Sequence, residues 1–362
     1  MKNGGLISTE KLVLYGIVRF PLLNDRELAD RLKMKTSTLT AIRHRLEKRE
    51  MYRQVRFPFL FDHDVEMLAA SFAVYNASIL ERSYSQMIEE QISDQPEAYW
   101  SIRESGQDLV LFMSRNLTDV KRHIEELEQI YVHGRVVLEE VQHLICFPKE
   151  LIKSTILFNY APPLKNEFSI GPADIDERED AEKRPISGDM PALTKTEKRV
   201  YVNLVRYPSM TDKWISERSG ISRYTIAKAK DKFESEGLLR TLKIPNIKAL
   251  GFEMLVFAHG KFNLRASVEE KDEMLREVFS VKPPVFLLNG RTEAISIDIY
   301  RDFEEFRSTV NRLSMIYREH PIFIREPTRI MFSVPNMKVV QEFSFDRFVE
   351  KTLGIRVEKG EK

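Results

Sequence analysis

The sequence predicts an α+β fold in which one unit of two domains occurs twice. Residues 9–68 and 196–255 align at a constant offset of 187 without a gap, and sixteen positions are identical. A constant offset over this length indicates copies of whole domains, because solenoid repeats are only ~20–50 residues long. After each aligned stretch, strand-like and helix-like patterns follow in the same order at offsets of 185 to 187. The duplication therefore covers nearly the whole chain.

Three helices are predicted at the start of each copy. Capping signals at Asn24–Glu27 and Thr194–Glu197 indicate helix starts, because hydroxyl, amide and carboxylate groups there can pair with free helix-end N–H groups. The third helix has apolar residues at the three-and-four spacing that buries one face. The third helices cover about 36–49 and 223–236, and the first helix of copy one covers about 9–19 and ends before Pro21.

A basic segment follows the three helices in each copy. Met51–Pro58 and Leu238–Pro245 alternate apolar and basic residues, which predicts a two-stranded wing with one solvated face. Helix, helix, turn, helix and wing is the order of a winged helix-turn-helix, whose last helix can enter the major groove of DNA. Winged helices also serve as protein-docking or dimerisation modules, and this alternative stays open.

Charge favours DNA as the partner of these modules. Residues 1–60 carry 13 Lys and Arg against 6 Asp and Glu, and residues 193–249 carry the same numbers, although the net charge of the chain is only +1. Lys and Arg that face phosphates release condensed counterions, so segregated positive charge points to a polyanion. The residues predicted to contact DNA from the third helices are Lys35, Thr36, Ser37, Thr38, Thr40, Ala41, His44 and Arg45 in copy one and Ser222, Arg223, Tyr224, Thr225, Lys228 and Lys232 in copy two. On the wings, the predicted phosphate or minor-groove contacts are Arg53, Arg56, Arg240 and Lys243.

The remainder of each copy reads as β-α-β-β-α-β, which is the order of a ferredoxin-like sandwich. Its last strand ends at a matched proline, Pro148 or Pro335. An acidic, proline-rich stretch between the copies predicts an extended or mobile linker. The predicted domains are winged helix one (1–60), ferredoxin-like domain one (61–160), the linker (161–192), winged helix two (193–249), ferredoxin-like domain two (250–353) and a tail (354–362).

Copy two carries a family resemblance at the level of motifs. Its residues 214–228, with Gly220 in the turn, and residues 233–239, with Gly237 before the wing, resemble the helix-turn-helix of the Lrp/AsnC (feast/famine) transcription regulators. Copy one departs from the pattern at both glycines and has Lys33 and Glu50 there. The resemblance implies that this chain corresponds to a two-fold dimer of such regulators fused head to tail, in an archaeal style.

The resemblance also implies a small-molecule effector in the ferredoxin-like domains. In that family, effectors bind near a Gly-x-x-Asp-like loop between the second and third strands. The similar residues here are Gly106 and Asp108 in copy one and Gly290 and Glu293 in copy two. The same residue types are equally typical of simple hairpin turns.

Several other classes lack support in the sequence. The single Cys146 cannot form an internal disulfide, and no apolar run approaches the ~18 residues of a membrane span, so a cytoplasmic protein is expected. The seven histidines do not cluster, and no nucleotide-binding or hydrolase signature occurs. We therefore expect no enzyme activity, no metal and no cofactor.

Two alternatives keep the same architecture. Siroheme decarboxylases resemble feast/famine regulators in both domains and act as paired homologous units, but no concentrated histidine and arginine site is evident here. The other alternative is an adaptor that docks proteins with its winged helices. The favoured prediction is a transcription regulator that presents two different recognition helices to an asymmetric operator. Its expected partners are double-stranded DNA, a small-molecule effector, a second copy of the chain and the basal transcription machinery, but no membrane.

Overall fold

The computed structural model describes residues 5–58, 65–75, 82–104, 106–133, 142–176 and 192–356. It confirms the predicted α+β fold class. The chain forms two compact units, one from residues 1–53, 151–180 and 242–336 and one from residues 54–150, 181–241 and 337–362. Each unit thus combines the helix-turn-helix of one copy with the ferredoxin-like sheet of the other copy.

The secondary-structure elements follow the predicted order in both copies. The helices are α1 (Ser8–Arg19), α2 (Asp25–Arg31), α3 (Thr36–Lys48), α4 (Arg82–Asp94), α5 (Leu117–His133), α6 (Ala161–Glu167), α7 (Lys195–Arg206), α8 (Asp212–Ser219), α9 (Arg223–Ser235), α10 (Val268–Val281), α11 (Phe303–Glu319) and α12 (Asp346–Leu353). The strands are β1 (Tyr52–Pro58), β2 (Met67–Val74), β3 (Ala98–Glu104), β4 (Gln107–Ser114), β5 (Gln142–Pro148), β6 (Ile152–Ile156), β7 (Leu239–Pro245), β8 (Met254–Lys261), β9 (Phe286–Gly290), β10 (Glu293–Tyr300), β11 (Thr328–Ser333) and β12 (Lys338–Glu342).

Each ferredoxin-like domain is built on a five-stranded sheet. The strand order is β11-β8-β10-β9-β6 in the first unit and β12-β3-β4-β2-β5 in the second. Four strands of each sheet have the order expected for a β-α-β-β-α-β chain, and the fifth is an addition from the segment that follows the other copy's sheet. Apolar side chains of α10 and α11 pack on the first sheet, and those of α4 and α5 pack on the second.

Side-chain caps define where the predicted helices begin. The Asn24 side chain accepts hydrogen bonds from the amides of Arg26 and Glu27 at 3.0 Å, and the Glu27 carboxylate accepts from the amide of Asn24 at 3.0 Å. Thr194 and Glu197 form the same reciprocal pair at 3.2 and 2.9 Å. Both capping boxes satisfy amides that a helix leaves free at its start.

Copy one has the same backbone conformation as copy two at the two positions where it lacks glycine. Gly220 and Gly237 have φ values of 68° and 77°. Lys33 and Glu50, at the equivalent positions, have φ values of 52° and 50°. A side chain in this left-handed region costs roughly 1–2 kcal/mol. Copy one therefore keeps the family-like turns at a local energetic cost that copy two avoids.

Two expectations drawn from local patterns need correction. The wing segments form one strand each rather than a two-stranded wing per copy, and β1 and β7 together make a separate two-stranded sheet. Residues 161–176, assigned by composition to the linker, include α6. Pro162 and Pro163 lie in the first turn of this helix, where backbone N–H groups have no partner within the helix, so the missing N–H of proline costs no hydrogen bond. The rest of the predicted linker, from residue 177 to 191, and the tail from residue 357 lie outside the described residues.

Candidate active site

The third helices expose most of the predicted DNA-contacting side chains. Tyr224 in the first turn of α9 is 76% exposed. Thr40 is half-buried and its hydroxyl donates to Asp25 at 2.5 Å, and Thr225 is also half-buried. The other exposed members are Lys35, Thr36, Ser37, Thr38, Ala41 and His44 in α3 and its cap and Ser222, Arg223 and Lys228 in α9 and its cap. Both helices thus present a polar face that could approach DNA.

Two of the predicted cations are held by carboxylates of their own domain. Arg45 Nε lies 3.2 Å from Glu10, and Lys232 Nζ lies 2.7 Å from Glu197 at the equivalent position. The hydrogen bond from Lys232 and the cap by Thr194 hold the pKa of Glu197 at about 2. The same ion pair recurs in both copies. This explains why Arg45 and the equivalent Lys232 are both positively charged.

The wing cations differ in their environments. Arg56 is only 5% exposed, and its Nη1 donates to the carbonyl of Leu204 at 3.3 Å. The prediction that Arg56 contacts DNA phosphates assumes an exposed side chain, whereas residues 55–58 of β1 are all buried. Lys243 is half-buried, with its ammonium 5.6 Å from the ring centre of Tyr52. The last two wing cations are half-buried Arg53 and exposed Arg240.

The predicted effector loops are engaged in internal contacts. Gly106 has a φ of 86° and serves the turn between β3 and β4. Asp108 is 2% exposed and forms an ion pair with Arg103 at 3.0 Å. In copy two, Gly290 is buried and Glu293 lies 2.8 Å from His259 Nε2. These residues behave as hairpin-turn and core residues.

Asp108 belongs to a buried polar network in the first ferredoxin-like domain. The Arg103 guanidinium donates to the Tyr75 hydroxyl at 2.8 and 2.9 Å and to the Ser85 carbonyl at 2.8 Å. The Tyr131 hydroxyl donates to the remaining Asp108 oxygen. Each charged group in this network has several partners, so the network holds the sheet to its helices.

The second ferredoxin-like domain contains a different cluster between its sheet and its helices. Asp298 on β10 is 9% exposed and accepts a hydrogen bond from Ser296 at 3.0 Å. Burial raises the pKa of Asp298 from 3.8 to about 6, against the opposing effects of Ser296, Lys282 and Arg329. No cation lies within ion-pair distance of this carboxyl among the described residues. It is therefore a buried acid that can hold a proton near neutral pH.

Two cations and two phenols surround this acid. Lys282 Nζ lies 4.1 Å from the ring centre of buried Tyr300 and 2.5 Å from Glu305. Burial raises the pKa of Tyr317 to about 12, against the opposing effect of Arg329. Arg329 Nη1 donates to the carbonyl of Pro327 at 3.4 Å and lies 3.9 Å from Glu326. Arg329 Nη2 is buried and has no hydrogen-bond partner among the described residues. A donor left in this state can donate to a ligand carboxylate without losing an existing hydrogen bond.

A cavity of about 70 Å³ lies among these groups. Small residues form its floor on the sheet: Ala258, Gly260, Ala294 and Ser296. At Gly260 a Cβ atom would come within 2.4 Å of the Phe323 ring, so the site requires glycine. The volume corresponds to about two water molecules, or to one carboxylate with a methylene group.

The cluster is specific to the second copy. Strand pairing places Asp298 opposite Val256 and Phe112 opposite the equivalent Ala69. By the same registers, Tyr300 and Arg329 correspond to Ser114 and Leu144 of copy one. Copy one has mainly apolar side chains at these positions. Burying polar residues there costs free energy, which points to a use in binding or catalysis.

The described residues contain neither a group of three His, Cys, Asp or Glu side chains able to hold a metal nor a helix able to span a membrane. His123 in α5 is 3% exposed, and burial lowers its pKa to about 4. Its ring packs edge-on against Phe112. This histidine is a neutral core residue.

Comparison with solved structures shows a shared architecture. The siroheme decarboxylase NirDL, solved with an iron-uroporphyrin III analogue, matches 96% of this chain and 99% of its own, with a TM-score of 0.50 and 12% identity. Two regulators match over a length that corresponds to about one copy of the repeat. The Neisseria meningitidis regulator solved with L-methionine covers 40% of this chain and 91% of its own (TM-score 0.33, 13% identity), and the Pyrococcus furiosus AsnC-family regulator covers 41% and 92% (TM-score 0.31, 21% identity). No protein-family profile and no curated protein matches the sequence.

The match along the whole chain corrects one expectation. The sequence-based prediction that this protein is not an enzyme is contradicted, because the duplicated fold that it shares end to end is the fold of a decarboxylase. The resemblance to Lrp/AsnC regulators holds at the coarser level of AsnC-like architecture.

Sequence reasoning missed the Asp298 cluster. Ser296, Asp298 and Tyr300 alternate with Ile295, Ile297 and Ile299 along β10. Such alternation usually indicates one solvated face. The signal that could have revealed the site is the comparison of copies, because Asp298 stands where copy one has Phe112. The equivalence of Arg329 and Leu144 follows only from the strand register.

Proposed function

We propose that this chain is an enzyme that decarboxylates a tetrapyrrole bearing carboxylate side chains, with its active site at the Asp298 cluster. The observation that carries the proposal is the cavity of the second ferredoxin-like domain, which is lined by a buried acid and by a guanidinium nitrogen that has no hydrogen-bond partner among the described residues. The full-length likeness to a siroheme decarboxylase supports a tetrapyrrole as the substrate.

The cluster supplies the groups that such a reaction needs. Arg329 Nη2 would bind one substrate carboxylate, while the apolar walls at Leu275 and Phe279 would favour loss of charge from the reacting arm. The carbon–carbon bond to the carboxylate breaks and CO2 leaves with the electron pair remaining on the methylene carbon. Protonated Asp298 donates the proton that converts this carbon to a methyl group, and solvent returns a proton to Asp298.

The size of the cavity limits what enters it. About 70 Å³ accepts one carboxymethyl arm and excludes a macrocycle. The ring system would therefore remain at the mouth of the cavity, between α10 and α11.

Replacing Arg329 with methionine should weaken binding of iron-uroporphyrin III about tenfold or more, because a charge-assisted hydrogen bond to a carboxylate is lost. Binding is measured by titration of the porphyrin absorption band, and turnover of siroheme by mass spectrometry of the tetrapyrrole after loss of CO2. Arg312→Met, at an exposed position of α11, is the matched control and should bind normally. The proposal fails if the wild-type protein neither perturbs the absorption band nor releases CO2, or if both variants bind like wild type.

A second candidate function is DNA binding by α3 and α9. The specific observation in its favour is the exposed first turn of α9, where Arg223, Tyr224 and Lys228 present a guanidinium, a phenol and an ammonium. In this proposal the two unlike helices read an asymmetric operator, and a small-molecule effector, a second copy of the chain or the basal transcription machinery would be further partners.

The test of DNA binding is selection of fragments from sheared genomic DNA at near-physiological salt. Recovery of a motif with two unlike half-sites, roughly one helical turn or a multiple apart, is the expected result. Recovered DNA without a motif, with steep salt dependence, would indicate phosphate contacts alone and contradict operator reading.

A further inference from the structure

A basic cleft opens beside the second helix-turn-helix, within the second unit. Its volume is about 510 Å³. Four cations and one carboxylate line it, together with an amide, two hydroxyls and a thioether: Arg56, Lys213, Arg223, Lys230, Asp212, Gln54, Ser209, Thr211 and Met210. The excess of positive charge indicates an anionic occupant.

Arg56 is the buried charge of this cleft. It is 5% exposed, and its Nε has no hydrogen-bond partner among the described residues. Burial lowers the pKa of its guanidinium, although Glu234 and Asp212 oppose this effect. Among the described residues no carboxylate lies within ion-pair distance of it, and an unpaired buried charge is unfavourable. An anion in the cleft would supply the missing counter-charge.

The remaining cations leave capacity for a ligand. Lys230 Nζ is shared between the two Asp212 oxygens at 3.1 Å. Lys213 is mostly exposed, and its ion pair with Glu217 is a long surface contact of 3.8 Å. Arg223 is exposed, and no carboxylate of the described part of the chain lies within ion-pair distance of it. Arg223 and Lys213 can therefore turn toward an occupant without breaking strong contacts.

Copy one repeats only part of this arrangement. Asp25 and Arg43, 3.0 Å apart, correspond to Asp212 and Lys230, and Arg26 corresponds to Lys213. Thr36, however, stands at the position of Arg223, and Leu22 and Leu23 stand at the positions of Ser209 and Met210. Lys243, at the position of Arg56, lies over the Tyr52 ring. The second copy therefore differs from the first by the guanidinium of Arg223 and by the polar side chain of Ser209, which both add polar groups to the lining.

We propose that this cleft binds a compact, multiply charged oxyanion, either a phosphorylated or a polycarboxylated small molecule. Its volume falls within the ≈300–1,000 Å³ typical of small-molecule sites. Arginine and lysine recognise phosphate and carboxylate oxygens alike, and the hydroxyls of Ser209 and Thr211 can donate to either. The site is separate from the Asp298 cluster, so its occupancy does not depend on the proposed decarboxylation.

Isothermal titration calorimetry of the full chain tests the proposal, with inorganic pyrophosphate and citrate as probes at constant ionic strength set with NaCl. Saturable binding of at least one probe is expected. Arg223→Gln and Lys213→Gln should each weaken it about tenfold, because each removes a charge-assisted contact. Arg26→Gln, at the exposed position of copy one that corresponds to Lys213, is the matched control and should leave binding unchanged. The quenching of Trp214 fluorescence, next to Lys213, provides a second readout.

The outcomes separate the sources of the anion. Preference for pyrophosphate identifies a phosphorylated ligand, and preference for citrate identifies a polycarboxylate. Equal weakening by Arg26→Gln would show general electrostatic attraction and overturn the proposal. Absence of saturable binding by both probes, with random duplex DNA binding that depends on Arg223, would assign the cleft to a DNA interface and also overturn it.

Discussion

Replacing Asp298 with asparagine should abolish turnover while it stabilises the folded protein at neutral pH. Loss of a general acid typically costs about 10²–10⁴ in rate. Burial raises the pKa of Asp298 from 3.8 to about 6, so the folded state binds this proton more tightly than the unfolded chain does. The stability contribution of Asp298 therefore falls as pH rises from about 4 to 6 and remains unfavourable above pH 6.

Asparagine cannot ionise, so the variant does not bury a charged carboxylate above pH 6. We expect a gain of about 2 kcal/mol in the free energy of unfolding at pH 8, and almost none at pH 4. Urea unfolding at both pH values and siroheme turnover from pH 5 to 8 are the measurements, and wild-type turnover should decline as pH rises above about 6. Asp272→Asn, on the exposed side of α10, is the control. An unstabilised but fully active Asp298→Asn protein would remove Asp298 from the proposed role.

Replacing Arg103 with methionine should lower the free energy of unfolding by about 3–5 kcal/mol. The change leaves the Asp108 carboxylate 2% exposed and without its cation, and it also removes the donors to Tyr75 and Ser85. Urea unfolding of the full chain at pH 7 measures the effect.

Arg122→Met provides the comparison, because Arg122 is 65% exposed and lies 3.7 Å from Asp119 in a surface pair. It should cost less than about 1 kcal/mol. The double variant Arg103→Met/Asp108→Asn should recover part of the loss, since the uncompensated charge is gone. If Arg103→Met cost no more than Arg122→Met, the network would not hold the first ferredoxin-like domain together.

Sequence alone was sufficient for the order of elements up to Pro148 and from Thr194 to Pro335, but not for the added elements β6, α6, β12 and α12. The period of apolar residues, the capping boxes at Asn24 and Thr194 and Pro148 are local signals, and each corresponds to an observed helix or strand. Pro335, the matched proline of copy two, lies two residues beyond the end of β11. Strand partners are not local. Nothing in the alternation of Tyr52–Pro58 distinguishes pairing within a copy from pairing with Leu239–Pro245, so the predicted wings were wrong in connectivity while the strands themselves were right.

The candidate site required tertiary information for a related reason. A face of β10 that carries Ser296, Asp298 and Tyr300 looks solvated until helices α10 and α11 are placed over it. The ion pairs of the third helices were likewise not visible in the sequence, because Glu10 and Glu197, the partners of Arg45 and Lys232, lie thirty-five residues away from them.

The composite make-up of the units has a consequence for synthesis of the chain. Helices α1 to α3 leave the ribosome first, yet four of the five strands of their unit's sheet come from residues 242–336. The second unit is completed only when β12 and α12 have emerged. Early segments must therefore wait for late ones, and contacts distant in sequence slow folding. A ribosome that stops after the first copy would release helices without their sheet and a sheet without its edge strand, so the two copies mature together or not at all.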